Sequence, residues 1–281
     1  MFVGREAELA KLESLYEQRS FQMAVVYGRR RVGKTTLINE FCRGKRTLSF
    51  TALEQSDADN LADFNRAIAS FFNLPASLGG FSSWTDALSF IADRARAERF
   101  VFVFDEFPYA AMRNEALPSI FQVAIDRAFK ETSAFLILCG SNQGFMESSV
   151  LGRKSPLFGR RTAQIKVHDL GFKDAAKMLP GLSAQDAFKF YGCFGGVPYY
   201  LQQLDSSVGL KENLARLYFD PMGFLYGEPE GLIRQEFQEP AIYNSILRAV
   251  AAGAHRAPQL AARMGIAQTR LPRALKALEA V

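Results

Sequence analysis

Gly28-Arg29-Arg30-Arg31-Val32-Gly33-Lys34-Thr35 carries the pattern G-x-x-x-x-G-K-[ST] at every fixed position, a spacing that suits phosphate chemistry. Two glycines let the loop curl so that the backbone N–H groups of Arg29, Arg30, Arg31, Val32, Gly33, Lys34 and Thr35, continuing into Thr36, point inward at an anion. Lys34 is expected to reach the β- and γ-phosphates, and the Thr35 hydroxyl to ligate Mg²⁺. The plain alternative is a glycine-bounded turn with a chance Lys-Thr. Context favours phosphate: the apolar run Met23 to Tyr27 precedes the loop and Leu37 to Phe41 follows, giving strand, loop and helix in the order the motif needs.

A second chemical cluster ends another apolar run. Phe100-Val101-Phe102-Val103-Phe104 leads directly into Asp105-Glu106. Two adjacent carboxylates at a strand tip can divide the work, Asp105 holding Mg²⁺ opposite Thr35 and Glu106 orienting and deprotonating an attacking water. Cys139-Gly140-Ser141-Asn142 ends the next apolar run, where Ser141 or Asn142 suits a γ-phosphate or water contact and equally suits a polar turn. Arg160, in the basic stretch Leu151 to Arg161, is the candidate for stabilising the charge of phosphoryl transfer; a basic surface loop is its alternative.

These residues need a parallel sheet beneath them. Alternating patterns predict a helix at 5–18, strands at 22–27, 46–53, 100–104 and 134–139, and helices at 34–43, 57–73, 84–96 and 116–131, with a loop over 74–80. The result is a doubly wound α/β domain over residues 1–171, a P-loop NTPase sheet sandwiched by helices, with ligands at the carboxyl ends of its strands. Beyond residue 172 strand signals stop. A helical lid spans 172–218, a Gly- and Pro-rich connector 219–240, and three short helices 241–281. The 281 residues are 48% hydrophobic, enough for a substantial core, and no stretch approaches ~20 uninterrupted apolar residues, so no membrane span is expected. The N-terminus has no signal-peptide pattern, which makes the cytoplasm the expected location. Cys42, Cys139 and Cys193 lack the pairing of a disulfide framework or a zinc site. A net charge of +5 permits a nucleic-acid partner without demonstrating one.

Taken together, the segments Phe2 to Glu6, Gly28 to Thr35, Val101 to Pro108, Cys139 to Ser141, Pro156 to Arg161 and Gly195 to Leu201 resemble the archaeal-type P-loop ATPase family, of the AAA-plus and signalling-NTPase group. The resemblance covers essentially the whole chain. It implies ATP/ADP as the nucleotide, with Val3, Gly4 and Arg5 near base and ribose and Pro198 closing over the adenine. It also implies a strand added between the phosphate-loop strand and the Asp105 strand, for which residues 47–53 are the candidate. Without it, Gly195-Gly196-Val197-Pro198 is a helix-breaking turn and Gly4 to Glu8 a helix start.

Members often carry a C-terminal winged helix-turn-helix, and the three last helices fit its helical part. Ile242, Ile246, Leu247 and Val250 are expected on one apolar face of the first; Arg270, Arg273 and Lys276 recur along the third, a face suited to DNA phosphates or to solvent. The sequence stops at Val281, before the strands of a wing, which reads as truncation ahead of the nuclease-like domain many relatives possess. The expected function is Mg-assisted ATP hydrolysis that couples nucleotide state to DNA, a protein partner or a homo-oligomer. The alternatives are a non-hydrolysing nucleotide switch and a DNA-binding regulator.

Overall fold

The computed structural model describes residues 2–75, 80–237 and 239–279, so the loop expected at 74–80 and the end of the last helix lie partly outside the described residues. Five strands form one parallel sheet: Gln22–Tyr27 (β1), Thr47–Thr51 (β2), Val101–Asp105 (β3), Phe135–Gly140 (β4) and Ala163–Lys166 (β5), in the order β2-β3-β4-β1-β5. β1, β3 and β4 are buried along their whole length, which is why their sequences are continuous apolar runs.

Alternate residues of each strand feed two apolar layers. Met23, Val25, Phe102, Phe104, Leu136 and Leu138 face one core; Ala24, Val26, Val101, Val103, Phe135 and Ile137 face the other. The second core is closed by Glu6–Glu17 (α1) and Lys34–Cys42 (α2), through Leu12, Leu15, Leu37 and Phe41. The first is closed by Asp57–Phe72 (α3), Trp84–Ala97 (α4), Phe107–Arg113 (α5) and Leu117–Arg127 (α6). α3 and α4 start on Ser56 and Ser83, whose hydroxyls accept the N–H of Asp59 and Asp86.

Sheet order corrects one expectation. The strand inserted between β1 and β3 is β4, while residues 47–51 form the outer edge beside β3. The β2 pattern shows why: Leu48 and Phe50 are buried while Ser49 and Thr51 are exposed, the alternation of a strand covered on one face only. Two of the elements that were not expected adjoin the phosphate loop or the Asp105-Glu106 pair. One is α5, which starts directly behind Glu106 with Pro108 in its first turn, a position that needs no N–H. The other is β5, an edge strand on β1 whose Ala163 and Ile165 join the second core, as does Val167 just beyond it.

The chain divides into two compact units, Met1–Gln202 and Gln203–Val281. Helices Gln143–Phe145 (α7), Phe172–Lys177 (α8), Ala184–Phe194 (α9) and Pro198–Leu201 (α10) belong with the sheet, so the segment expected as a lid at 172–218 is divided between the units. The second unit holds Leu210–Leu214 (α11), Glu228–Glu236 (α12), Pro240–Ala251 (α13), Ala257–Met264 (α14) and Leu271–Glu279 (α15). α12 occupies the expected connector: Pro229 lies in its first turn, where it initiates a helix, and Glu228 and Glu230 complement the helix dipole there. Ile246, Leu260, Ala261 and Leu271 join α13, α14 and α15 around one small core. Leu247 and Val250, expected on the buried face, are exposed, because α13 presents only a narrow stripe to that core. The described residues of this unit contain no strand. No described helix is long and apolar enough to cross a membrane.

Candidate functional site

β1 delivers the phosphate loop at its carboxyl end. Gly28 (φ 154°) passes so near β5 that a Cβ there would lie 2.3 Å from the Val167 carbonyl oxygen, and Gly33 (φ 92°) turns the chain into α2. Lys34 opens that helix, and its Nζ arches back across the loop to donate to the Arg29 carbonyl at 2.9 Å. It is buried, poised where an anion's oxygens would replace a backbone acceptor.

β3 brings its carboxylates to the same place. Thr35 Oγ1 donates to Asp105 Oδ2 at 3.4 Å, and Asp105 Oδ1 accepts the Glu106 N–H at 2.9 Å. Glu106 lies in the left-handed region (φ 49°), unusual for a residue with a side chain and the mark of a position held by its surroundings. Those surroundings include Ser141 at the tip of β4, whose N–H and Oγ both donate to Glu106 Oε2, at 3.0 and 2.8 Å. Asn142 instead caps α7, its Oδ1 accepting the Phe145 N–H at 2.9 Å. Cys139, behind Asp105 in the sheet, is fully buried, and that burial raises its thiol well above the usual range, so it stays protonated beside the carboxylate.

Glu106, Lys34, Thr35 and Thr36 line one cleft of about 420 Å³, together with Arg30, Arg31 and Pro198. A smaller hollow of about 40 Å³ adjoins it through Gly33, Thr36, Pro198 and Gln202; Phe2, Val3, Arg5, Val32, Leu170 and Met178 complete its walls. Arg5 is almost fully buried there and ties three segments, donating to the carbonyls of Val32 and His168 and pairing with Glu8. Gly4 rests against the side chain of Asp174. The cleft collects the charged side chains of Arg30, Arg31, Lys34 and Glu106, and the hollow most of the apolar ones. Arg29 is not among the residues that line either, and pairs with Asp169 at 3.3 Å. Tyr109, Tyr199 and Gln202 also line the cleft and were not anticipated; the pairing of Tyr199 with Pro198 in one turn was the available signal.

Arg160 is placed elsewhere. Its Nε and Nη2 donate to Asp126 on α6, at 3.1 Å to either oxygen and 2.5 Å, and its Nη1 to the Pro156 carbonyl at 2.7 Å. It does not line the cleft. Hydrogen bonds from Arg160, then Lys130, lower the Asp126 carboxyl from 3.8 to about 2. A carboxylate lowered on folding stabilises the protein above its unfolded value near 3.8, and the contribution disappears as pH falls through about 2. Asp126→Asn is therefore expected to cost about 1 kcal/mol at neutral pH, discounted for a partly solvated pair, with wild type and variant converging near pH 2; urea denaturation at the two pH values measures this.

In the second unit, Arg273 and Lys276 are exposed on α15, and the side chain of Arg270 lies outside the described residues. Arg273 lines a groove of about 550 Å³ with Glu236 and Glu239, carboxylates that oppose a phosphate backbone beside it.

Residues 2–204 match the model of an ATPase domain predominantly from Archaea. The chain belongs to that family. This archaeal-type ATPase domain is 32% identical over 280 residues to an uncharacterized protein of Methanocaldococcus jannaschii, covering 99% of the chain and 60% of the relative's length. In structure it is similar to a Walker-type ATPase of Pyrococcus abyssi, with a TM-score of 0.67 at 20% identity, covering 99% of this chain and 89% of that one. It is also similar to the Aeropyrum pernix ORC2 protein, solved as complexes with ADPNP and ADP: TM-score 0.58, 14% identity, 92% and 78% covered. The archaeal-type ATPase thus has the P-loop NTPase fold, with its phosphate loop at the carboxyl end of β1 and Asp105-Glu106 at that of β3, the two strands that flank β4.

Proposed function

We propose that this P-loop ATPase hydrolyses ATP in the cleft between the phosphate loop and Glu106. The observation that carries the reading is the 3.4 Å approach of Thr35 Oγ1 to Asp105 Oδ2, with Glu106 lining the same cleft as Lys34. Hydroxyl and carboxylate oxygens are hard donors of the kind Mg²⁺ takes alongside substrate phosphates, so Thr35 and Asp105 would hold it. When bound, it offsets charge on the β- and γ-phosphate oxygens. Lys34 leaves the Arg29 carbonyl to contact those oxygens, and the loop amides cradle the chain of phosphates. Water attacks the γ-phosphorus in line, its proton passes to Glu106, and the bond to the bridging oxygen breaks to release ADP. Pro198, Val3 and Arg5 frame the base end, as the apolar hollow and the ADPNP- and ADP-bound neighbour support.

One observation favours a slower variant of this reading. Ser141 already occupies Glu106 Oε2 with two donors, which suits an enzyme that rests between turnovers and uses nucleotide state to signal. The C-terminal helices are the module that such a signal would serve, toward a protein or DNA. Lys34→Ala is expected to weaken Mg-ATP binding about 100-fold, the loss of charge-assisted contacts to two phosphates. Isothermal titration measures it; unchanged affinity would place the nucleotide elsewhere.

A further inference from the structure

Phosphoryl transfer builds negative charge on the γ-phosphoryl oxygens, and a guanidinium beside them is the strongest side-chain answer to it. Arg160 is committed to Asp126 and two carbonyls, outside the cleft. The cations that do line the cleft are Lys34, Arg30 and Arg31. The last two are held on different walls. Arg31, itself in the left-handed region (φ 69°), lies over the Tyr199 ring at 5.2 Å, next to Pro198 and so toward the base end. Arg30 donates to the Tyr109 hydroxyl, with its guanidinium carbon 6.0 Å from the centre of that ring. Tyr109 stands in the first turn of α5, and its N–H donates to the Glu106 carbonyl at 2.9 Å. The tyrosine that holds Arg30 is therefore built on the same turn as the proposed base. Burial raises the Tyr109 phenol above its ordinary range against the opposing pull of Arg30, which keeps it neutral, able to accept from the guanidinium without competing for it as an ion partner.

We propose that Arg30 is the cis-acting cation of this site, contacting the γ-phosphoryl group on the side of Glu106, and that Tyr109 is its positioning residue. This rests on the hydrolytic reading for its catalytic meaning, but the contact can be read without turnover. A loop arginine supplied in cis makes the isolated chain self-sufficient in γ-phosphate charge stabilisation, with no arginine required from a second protomer. Tyr109 would keep the flexible side chain in the cleft before nucleotide arrives, so less ordering is needed when it binds.

The test is titration of ADP, alone and with aluminium fluoride as the mimic of the transferring group, into the wild type, Arg30→Ala, Arg30→Lys and Tyr109→Phe. The wild type is expected to prefer the fluoroaluminate complex strongly. Arg30→Ala should lose about 100-fold of that preference while ADP affinity stays within about threefold, a smaller loss than that of an arginine delivered from another protein because solvent can partly replace a cation at the cleft mouth. Arg30→Lys should fall between, keeping charge without the planar fork, and added guanidinium ion should restore part of the Arg30→Ala preference. Tyr109→Phe should lose up to about tenfold, since it removes a single hydrogen bond and keeps the ring. An Arg30→Ala preference equal to wild type overturns the proposal, as does an equal weakening of ADP and its fluoroaluminate complex. A wild type that shows the Arg30-dependent preference yet releases no phosphate supports the contact and overturns hydrolysis alone. A wild type without any preference overturns both.

Discussion

Glu106→Gln is expected to leave Mg-ATP bound and to lower phosphate release by about 10³-fold, within the range for loss of a general base. The substitution is close to isosteric, and the amide oxygen can still accept the Ser141 N–H and hydroxyl that hold Oε2 in the parent. The strained backbone at φ 49° is unchanged by it, because the constraint comes from β3 and α5 on either side. What disappears is the capacity to take the proton of the attacking water. A factor of 10³ corresponds to about 4 kcal/mol of transition-state stabilisation, which a neutral amide does not supply. Binding is governed by other groups of the same cleft, Lys34, Thr35 and the loop amides, which the substitution leaves in place. Single-turnover phosphate release beside equilibrium titration separates the two quantities. If wild type and variant release phosphate at one indistinguishable rate, Glu106 has no such role, and the non-hydrolysing switch becomes the reading to pursue.

The parts of this site that could be read from sequence are those written in short spacings. Gly28, Gly33, Lys34 and Thr35 fall within one turn of chain, and the apolar runs ending at Tyr27 and Phe104 are long enough to declare buried strands. What escaped depends on partners remote in sequence. Strand order is decided by which edges meet, so placing residues 47–51 between β1 and β3 had no local evidence to correct it, although Ser49 and Thr51 already carried the polar alternation of an edge. β5 is only four residues long, and its two inward side chains give too little periodicity to register. Pro229 and Gly231 read as breakers because composition cannot distinguish a proline that ends a helix from one that opens it. Arg160 is the same problem in charge: a basic stretch does not disclose that Asp126 lies across from it. Arg30 is the converse, since a loop arginine acquires meaning only through Tyr109, about eighty residues away.

Phe64→Ala, far from any phosphate, is expected to cost about 3–5 kcal/mol, as large as any single substitution proposed for this molecule. Phe64 projects from α3 with no exposed surface and meets Phe50, Trp84, Phe102 and Phe104, at ring separations of 5.1, 5.2, 5.7 and 5.9 Å. The stacked pairs are those with Trp84 and Phe102. Truncation removes a ring from the centre of this cluster, and rigid strands on one side with two helices on the other leave little freedom to collapse into the space. For a unit of roughly 200 residues, each kcal/mol lowers Tm by about 2–4 °C, so calorimetry should show a fall of about 6–20 °C. Because Phe102 and Phe104 lead straight into Asp105, the loosened core is expected to reach the site as well, weakening Mg-ATP binding before global unfolding sets in. Saturating nucleotide should in turn recover part of the lost Tm by mass action on the folded state. A loss below about 1 kcal/mol would mean that Phe50 and Trp84 refill the space, and that the strand bearing the carboxylates is held by its neighbours β2 and β4 rather than by α3.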